Sequence, residues 1–360
     1  MAEVAVNELW RELTSLPNLF DAARRAAAGK KSRPDVAAFL ANLEPEVFGL
    51  RRELTSGCYR PGAYRTFRIL EPKPRLISAA PFRDRVAHHA LTRVVEPLFE
   101  RRFVPYSFAC RTGLGTHKAL AHARAACARY PFVLKLDIQK YFASIDHFIL
   151  LDLLAQLIQC PDTMRLIGLV IASGNRPEDA IRYFPGDTLF TPHERRRGLP
   201  LGNQTSQFFA NVYLNPMDQM IARNLRPGAY ARYVDDFLLF CGDKRQLREM
   251  HAGIGEFLCR FRLMLHPGKS RVYRCQDGFP FLGFRLFPTH ARLARASVVR
   301  FRRGLRRLHH DYHAGLIDRE TVNRPVQAWI GHAMHGDTWR LREQIFDAFP
   351  FLAMPRGDRR

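Results

Sequence analysis

Residues 233–240 read Tyr233-Val234-Asp235-Asp236-Phe237-Leu238-Leu239-Phe240, two adjacent carboxylates leading into an apolar run. Like charges beside a buried strand repel each other and lose hydration, so the pair calls for a compensating cation, of which a divalent metal is the simplest. The same letters also suit a solvated hairpin tip. Partners elsewhere in the chain must decide between the two readings.

One partner lies upstream, where Phe132-Val133-Leu134-Lys135-Leu136-Asp137-Ile138 leads β-prone residues into another carboxylate. Only a tertiary fold can join Asp137 to Asp235. Hard Mg²⁺ ions take oxygen ligands and keep substrate phosphates and waters in their shell. Two such ions, roughly 3.5–4 Å apart, stabilise the attacking and leaving oxygens of an in-line phosphoryl displacement. This is the chemistry of polymerases and nucleases.

Composition points the same way. The chain carries 56 Lys and Arg against 34 Asp and Glu, a formal net charge of +22, as expected for a polyanion partner. With 360 residues and 47% hydrophobic content it can bury a sizeable core divided among subdomains, which excludes a disordered basic tail. No apolar run reaches the roughly 18 residues of a membrane span. The start, Met1-Ala2-Glu3-Val4, lacks a signal pattern, so a soluble cytoplasmic protein with no membrane partner is expected. Cys58, Cys110, Cys127, Cys160, Cys241, Cys259 and Cys275 are scattered and odd in number, suggesting reduced thiols rather than zinc ligands or disulfides.

Residues 1–57 read as helices, with Asn7 a candidate cap and a basic break at 29–34. Tyr59 to Ile77 reads as a short hairpin carrying Arg65, Arg68, Lys73 and Arg75, or equally as a solvated edge defended by cations. The spacing of Val86, Leu91, Val94, Val95 and Leu98 predicts a packed helix from Phe82 to Phe99, ending around Pro97. Between Arg292 and Arg307 there are seven arginines and no acid, while Val298, Phe301, Leu305, Leu308 and Tyr312 recur at helical spacing. This is an amphipathic helix whose arginines, Arg295, Arg300, Arg302, Arg303, Arg306 and Arg307 among them, face either phosphates or solvent. His309, His310 and His313, like His332 and His335, lack the cysteine or carboxylate pattern that would complete a zinc site.

Several pieces together resemble a known family. KLDIQKYFASIDH at 135–147, GLPLGNQTSQ at 198–207 and Tyr233 to Asp236 occur in the order and spacing of the palm motifs of reverse transcriptases. EPKPR at 71–75 with Asp84-Arg85 resembles the fingers segment, and HPGK at 266–269 and FLGF at 281–284 resemble later palm motifs. The resemblance spans about residues 59–290.

It implies an α+β right-hand polymerase, with fingers, a palm built on an antiparallel sheet, and a helical thumb. The expected division is a helical extension over 1–57, fingers over 58–132 with 150–197 as a fingers or palm insertion, palm over 133–149 and 198–290, and thumb over 291–360. Asp137, Asp235 and Asp236 are the expected catalytic residues. With the Ile138 carbonyl they would hold two Mg²⁺ ions, Mn²⁺ being a possible substitute. Lys73, Arg75 and Lys269 would contact the incoming triphosphate. Phe142 falls where this family places an aromatic gate against the 2′ position, selecting deoxynucleotides, although it and Tyr141 also suit a plain aromatic cluster. Asp146 is expected to be a helix cap.

Gly202, having no side chain, would let nucleotide and template approach the backbone. Here the chain departs from the commonest family pattern, with Leu201 where many members have Gln before the glycine and Gln207 where they have Pro after the serine. That form resembles the reverse transcriptases of diversity-generating retroelements. An apolar Leu201 removes a polar contact near the nascent pair, which predicts error-prone copying, or is simple core replacement. Expected partners are an RNA template, a DNA or RNA primer, deoxynucleoside triphosphates and a small basic accessory variability protein. Alternatives are an antiphage-defence reverse transcriptase, a group II intron maturase and a non-catalytic RNA-binding protein on the same fold. The stretch beyond Phe284 suits a thumb, without RNase H, integrase or endonuclease.

Overall fold

A computed structural model describes residues 6–70, 74–174 and 181–350. Helices α1 (Val6–Leu13), α2 (Leu16–Ala27), α3 (Pro34–Ala41) and α4 (Leu43–Thr55) precede a hairpin of β1 (Arg65–Ile69) and β2 (Arg75–Ala79) and a long α5 (Phe82–Glu100). Because α1 begins at Val6, Asn7 lies in its first turn rather than capping it. The cap that the sequence does supply is Ser15, whose hydroxyl accepts from the Asn18 amide at the start of α2. Helix α5 runs past Pro97 to Glu100, giving up the i→i−4 bond that a residue with an N–H would make there. Leu13, Leu19, Ala22, Val47 and Leu50 pack with Val86, Ala90 and Leu91 of α5 in the larger of two cores.

The middle of the chain adds α6 (Thr116–Arg129), β3 (Phe132–Asp137), α7 (Tyr141–Ser144), α8 (His147–Ala155), α9 (Pro161–Ala172), α10 (Thr191–Glu194) and α11 (Gln204–Met220). Strands β4 (Ala229–Tyr233) and β5 (Asp236–Cys241), helix α12 (Lys244–Arg260) and strand β6 (Arg271–Arg274) follow. The central antiparallel sheet has the order β4-β5-β3-β6. Its period-two alternation divides the cores: Leu134, Leu136, Phe237 and Leu239 face the helical one, and Val133, Leu238 and Phe240 face the second.

That second core is closed by a three-stranded sheet of β7 (Phe279–Phe281), β8 (Phe284–Leu286) and β9 (Ala291–Leu293), and by helices α13 (Arg295–His313), α14 (Arg319–Ala333) and α15 (Trp339–Asp347). The expected amphipathic helix is α13. Leu305 is fully buried on its inner face, and Phe301 stacks flat on Trp329 of α14 at 3.8 Å. The result is a mixed helix-and-sheet fold, and no helix among the described residues is long and apolar enough to cross a membrane.

Candidate active site

Strand register assembles the site. Asp137 at the end of β3 lies directly opposite Asp236 at the start of β5, and Tyr233 pairs with Asp236, which leaves Val234 and Asp235 as the central residues of a two-residue turn. The acidic pair therefore does sit at a hairpin turn, but one packed beside another strand and its carboxylate rather than in open solvent. The backbone amide of Ile138 donates to the Asp235 carbonyl at 3.3 Å, tying the turn to β3. Ile138 itself is buried.

Three cations attend these carboxylates. Lys269 Nζ lies 2.7 Å from Asp137 Oδ1, Lys135 forms an ion pair with Asp236, and Arg75 of the hairpin acts electrostatically on Asp235. Lys269 is delivered by a turn whose His266 amide donates to the Asp137 carbonyl at 2.7 Å. Burial, reinforced by the charge of Asp137, nonetheless raises the Asp235 carboxyl above the ordinary range. Asp236 is pushed up to about 6, first by burial and then by Asp235 and Asp137, against the pull of Lys135. The lysines thus leave the cluster short of positive charge.

Among the described residues no group of three or more His, Cys, Asp or Glu side chains is arranged to hold a metal. Asp137 and Asp235 offer an oxygen-only donor set with unmet negative charge, while Asp236 is engaged by Lys135. That set fits a hard divalent cation bound through one or two carboxylates, with substrate phosphates completing the shell.

Around this centre, Phe142 on α7 is half-buried, packs edge-on against Tyr141 at 5.5 Å, and its carbonyl accepts from the Leu199 amide at 2.7 Å. Tyr141 is buried. Asp146 caps α8 by accepting from the Phe148 and Ile149 amides, and it also pairs with Arg262 at 2.6 Å. Lys73 lies outside the described residues.

Gly202 has φ +112°, and a Cβ there would stand 2.8 Å from the Ile77 side chain, so its immediate neighbour is β2. The adjoining residues latch the same strand. The Ser78 amide donates to the Leu201 carbonyl at 2.9 Å, and the buried Asn203 side chain bonds the Ser78 carbonyl and the Ala80 amide. Leu201 is half-buried, Thr205 and Ser206 are buried, and Gln207 is exposed in the first turn of α11. Of Asn203, Thr205, Ser206 and Gln207, only Gln207 thus stands exposed.

Arg295, Arg300, Arg302, Arg303, Arg306 and Arg307 are all exposed on α13. Beside that helix is a cleft of about 580 Å³ lined by Arg271, Arg285, Arg292 and Arg295 and by no acidic residue. Arg285 and Arg292 are direct cross-strand partners, and both guanidinium groups sit over the Phe287 ring, at 5.7 and 5.6 Å. Sequence reasoning missed Lys135 and Arg285, and it counted Arg292 with the helical arginines although Arg292 lies on β9, before α13 begins. The signal for Arg285 and Arg292 was an arginine between two apolar residues in Phe284-Arg285-Leu286 and Ala291-Arg292-Leu293, a strand alternation in very short segments.

Residues 70–286 match the family described as reverse transcriptase (RNA-dependent DNA polymerase). Over 344 residues the chain is 26% identical to Protein YkfC of Escherichia coli K12, covering 82% of this chain and 86% of that protein. It is 20% identical to the putative COX1/OXI3 intron 1 protein of Saccharomyces cerevisiae, covering 70% of this chain but 37% of that protein. It is 24% identical to the group II intron-encoded protein LtrA of Lactococcus lactis subsp. cremoris, over 49% of this chain and 28% of that protein. The chain therefore spans well under half the length of these two intron-encoded relatives.

Proposed function

This chain belongs to the reverse transcriptase family, and from that premise we propose that it copies an RNA template into DNA by magnesium-dependent nucleotidyl transfer at Asp137 and Asp235. The carrying observation is the convergence of Asp137 at the end of β3 with Asp235 in the turn between β4 and β5, under-compensated by Lys269 and Arg75. Two bound divalent cations would activate a primer hydroxyl and neutralise the triphosphate. The protein's own groups hold that geometry. Lys269 and Arg75 hold positive charge beside the carboxylates where a triphosphate would lie, and Lys135 keeps Asp236 occupied. Phe142, packed on Tyr141 and held through its carbonyl by the Leu199 amide, is the ring that would stand against the 2′ position and exclude a hydroxyl.

In this reading 133–149 and 198–290 form the palm, 58–132 with 150–197 the fingers, 291–360 the thumb, and 1–57 a helical extension. The exposed arginines of α13 and the arginine cleft beside it hold phosphates of template and primer. The test is extension of a DNA primer annealed to RNA with Mg²⁺ and deoxynucleotides. Wild type must extend, and Asp235→Ala must not.

Leu201 and Gln207 support a finer assignment to the diversity-generating type, error-prone and assisted by a small basic accessory protein. Sequencing the products separates this from ordinary copying, since an error spectrum unchanged by Leu201→Gln removes Leu201 from the account. The intron-encoded character of the yeast and Lactococcus relatives favours a second reading, a polymerase associated with an intron RNA. Tight, selective binding of a structured intron RNA would favour it.

A further inference from the structure

Val234 is β-branched yet has φ +58°, in the left-handed region that such residues rarely adopt and only under strain. It is the first central residue of the Tyr233 to Asp236 turn, a position at which turns with positive φ normally take glycine. Strain of this kind persists only where the surroundings over-determine the backbone. The surroundings here converge on Arg232, one residue before the turn.

Arg232 is fully buried. Its Nε and Nη2 donate to the Asp218 carboxylate at 2.8 and 2.6 Å, and its Nη1 donates to Asn211 Oδ1 and to the Val234 carbonyl, both at 3.1 Å. Tyr230 donates to the same carboxylate at 2.6 Å. The backbone of Arg232 is held as well, its amide donating to the Tyr106 carbonyl and its carbonyl accepting from Phe108, both at 2.9 Å. A buried ion pair is weak evidence for stability, since an apolar replacement of similar volume is often neutral. What an apolar residue cannot do is donate to the Val234 carbonyl.

That carbonyl belongs to the central peptide of the turn, the one that carries Asp235. A two-residue turn with positive φ at its first residue can be lost in two ways, by that residue returning to negative φ or by a flip of the central peptide, which changes ψ of the first residue and φ of the second. We propose that Arg232 is a positioning residue for Asp235, fixing the plane of the Val234–Asp235 peptide through the Val234 carbonyl. The proposal rests on the polymerase reading above. Asp218, Asn211 and Tyr230 serve to aim the guanidinium, and a lysine, which lacks the planar fork, cannot bond Asp218 twice and reach Val234 together.

The test compares Arg232→Lys, Val234→Gly and the double variant in steady-state extension of a DNA primer on RNA with Mg²⁺, alongside thermal unfolding. Arg232→Lys is expected to lower kcat by about tenfold or more with KM for deoxynucleotides within about threefold, the pattern of impaired transition-state alignment. Glycine bears positive φ without strain, so adding Val234→Gly should restore most of that kcat. A merely structural role would lower the unfolding temperature without this rescue. Wild-type kcat in Arg232→Lys, or a loss that Val234→Gly leaves unrepaired, overturns the proposal. If Arg232→Lys does not fold, Asn211→Ala, which loosens the guanidinium but keeps its pair with Asp218, must show the same rescued loss or the proposal fails. A wild type no more active than Asp235→Ala would instead defeat the polymerase reading.

Discussion

Lys269 Nζ stands 2.7 Å from Asp137 Oδ1, so the carboxylate that ends β3 is held by a cation from beyond α12. Burial, and after it the charge of that same carboxylate, raises Asp235 toward protonation, and Lys269 and Arg75 offset this only in part. A divalent cation would complete the compensation and, by binding only the folded state, stabilise it. Thermal unfolding in a Mg²⁺ titration is expected to shift upward, by about 1.4 kcal/mol for each tenfold excess over Kd. Asp137→Asn should abolish the shift. Lys269→Ala should enlarge it, because the folded protein then begins with a greater charge deficit.

Gly202 and Asn203 join the same centre to the arginine-bearing hairpin. Gly202→Ala combines a φ of +112° with a contact at 2.8 Å to Ile77, and should cost about 1–3 kcal/mol in denaturant unfolding. Asn203→Ala leaves the Ser78 carbonyl and the Ala80 amide without the side-chain partners they now have, at a comparable cost. Both should raise KM for deoxynucleotides by loosening the strand that begins at Arg75. Unchanged stability in Gly202→Ala would show that β2 yields freely there.

How much of this was legible from sequence depends on the range of the interaction. The acidic residues at 137, 235 and 236 were visible because each lies next to an apolar run of strand character. The amphipathic α13 was visible because helical spacing is local. Asn7 was misread as a cap because a single polar residue marks a helix start only to within one or two positions. Gly202 was read as room for nucleotide and template, whereas the group that approaches it in the fold is the Ile77 side chain, from a strand that sequence spacing could not bring there. Lys135, Arg232 and Arg285 were passed over for one reason. In a strongly basic chain a further cation carries no signal until the register shows which carboxylate or which second cation lies opposite it.

Acid should weaken the helical region near α5 independently of the site. His88 is buried, and both ring nitrogens lack a hydrogen-bond partner among the described residues. Burial, then the charges of His89 and Arg85, lower its pKa from 6.5 to about 4, and His89 is lowered likewise to about 4. Above pH 6.5 both rings are neutral whether folded or not, so stability there is full. As pH falls from 6.5 toward 4 the unfolded chain takes up protons that the fold refuses, and stability falls by up to roughly 3 kcal/mol for His88. Urea unfolding across that range should show the decline, and His88→Leu should flatten it.

Arg285 and Arg292 face each other across β8 and β9 with no carboxylate in their cleft, an arrangement that disfavours the free protein. Stability and binding should therefore move in opposite directions when either is removed. Arg285→Ala or Arg292→Ala is expected to leave thermal stability unchanged or raised by a few tenths of a kcal/mol, since a like-charge pair directly opposite is relieved. Binding of an RNA–DNA primer duplex should weaken, with the slope of log K against log salt reduced by up to about 0.9 for each phosphate no longer neutralised. Sequence preference should stay constant, because phosphate contacts carry no base information. A salt slope equal to wild type in the double variant would assign this cleft to something other than the nucleic-acid backbone.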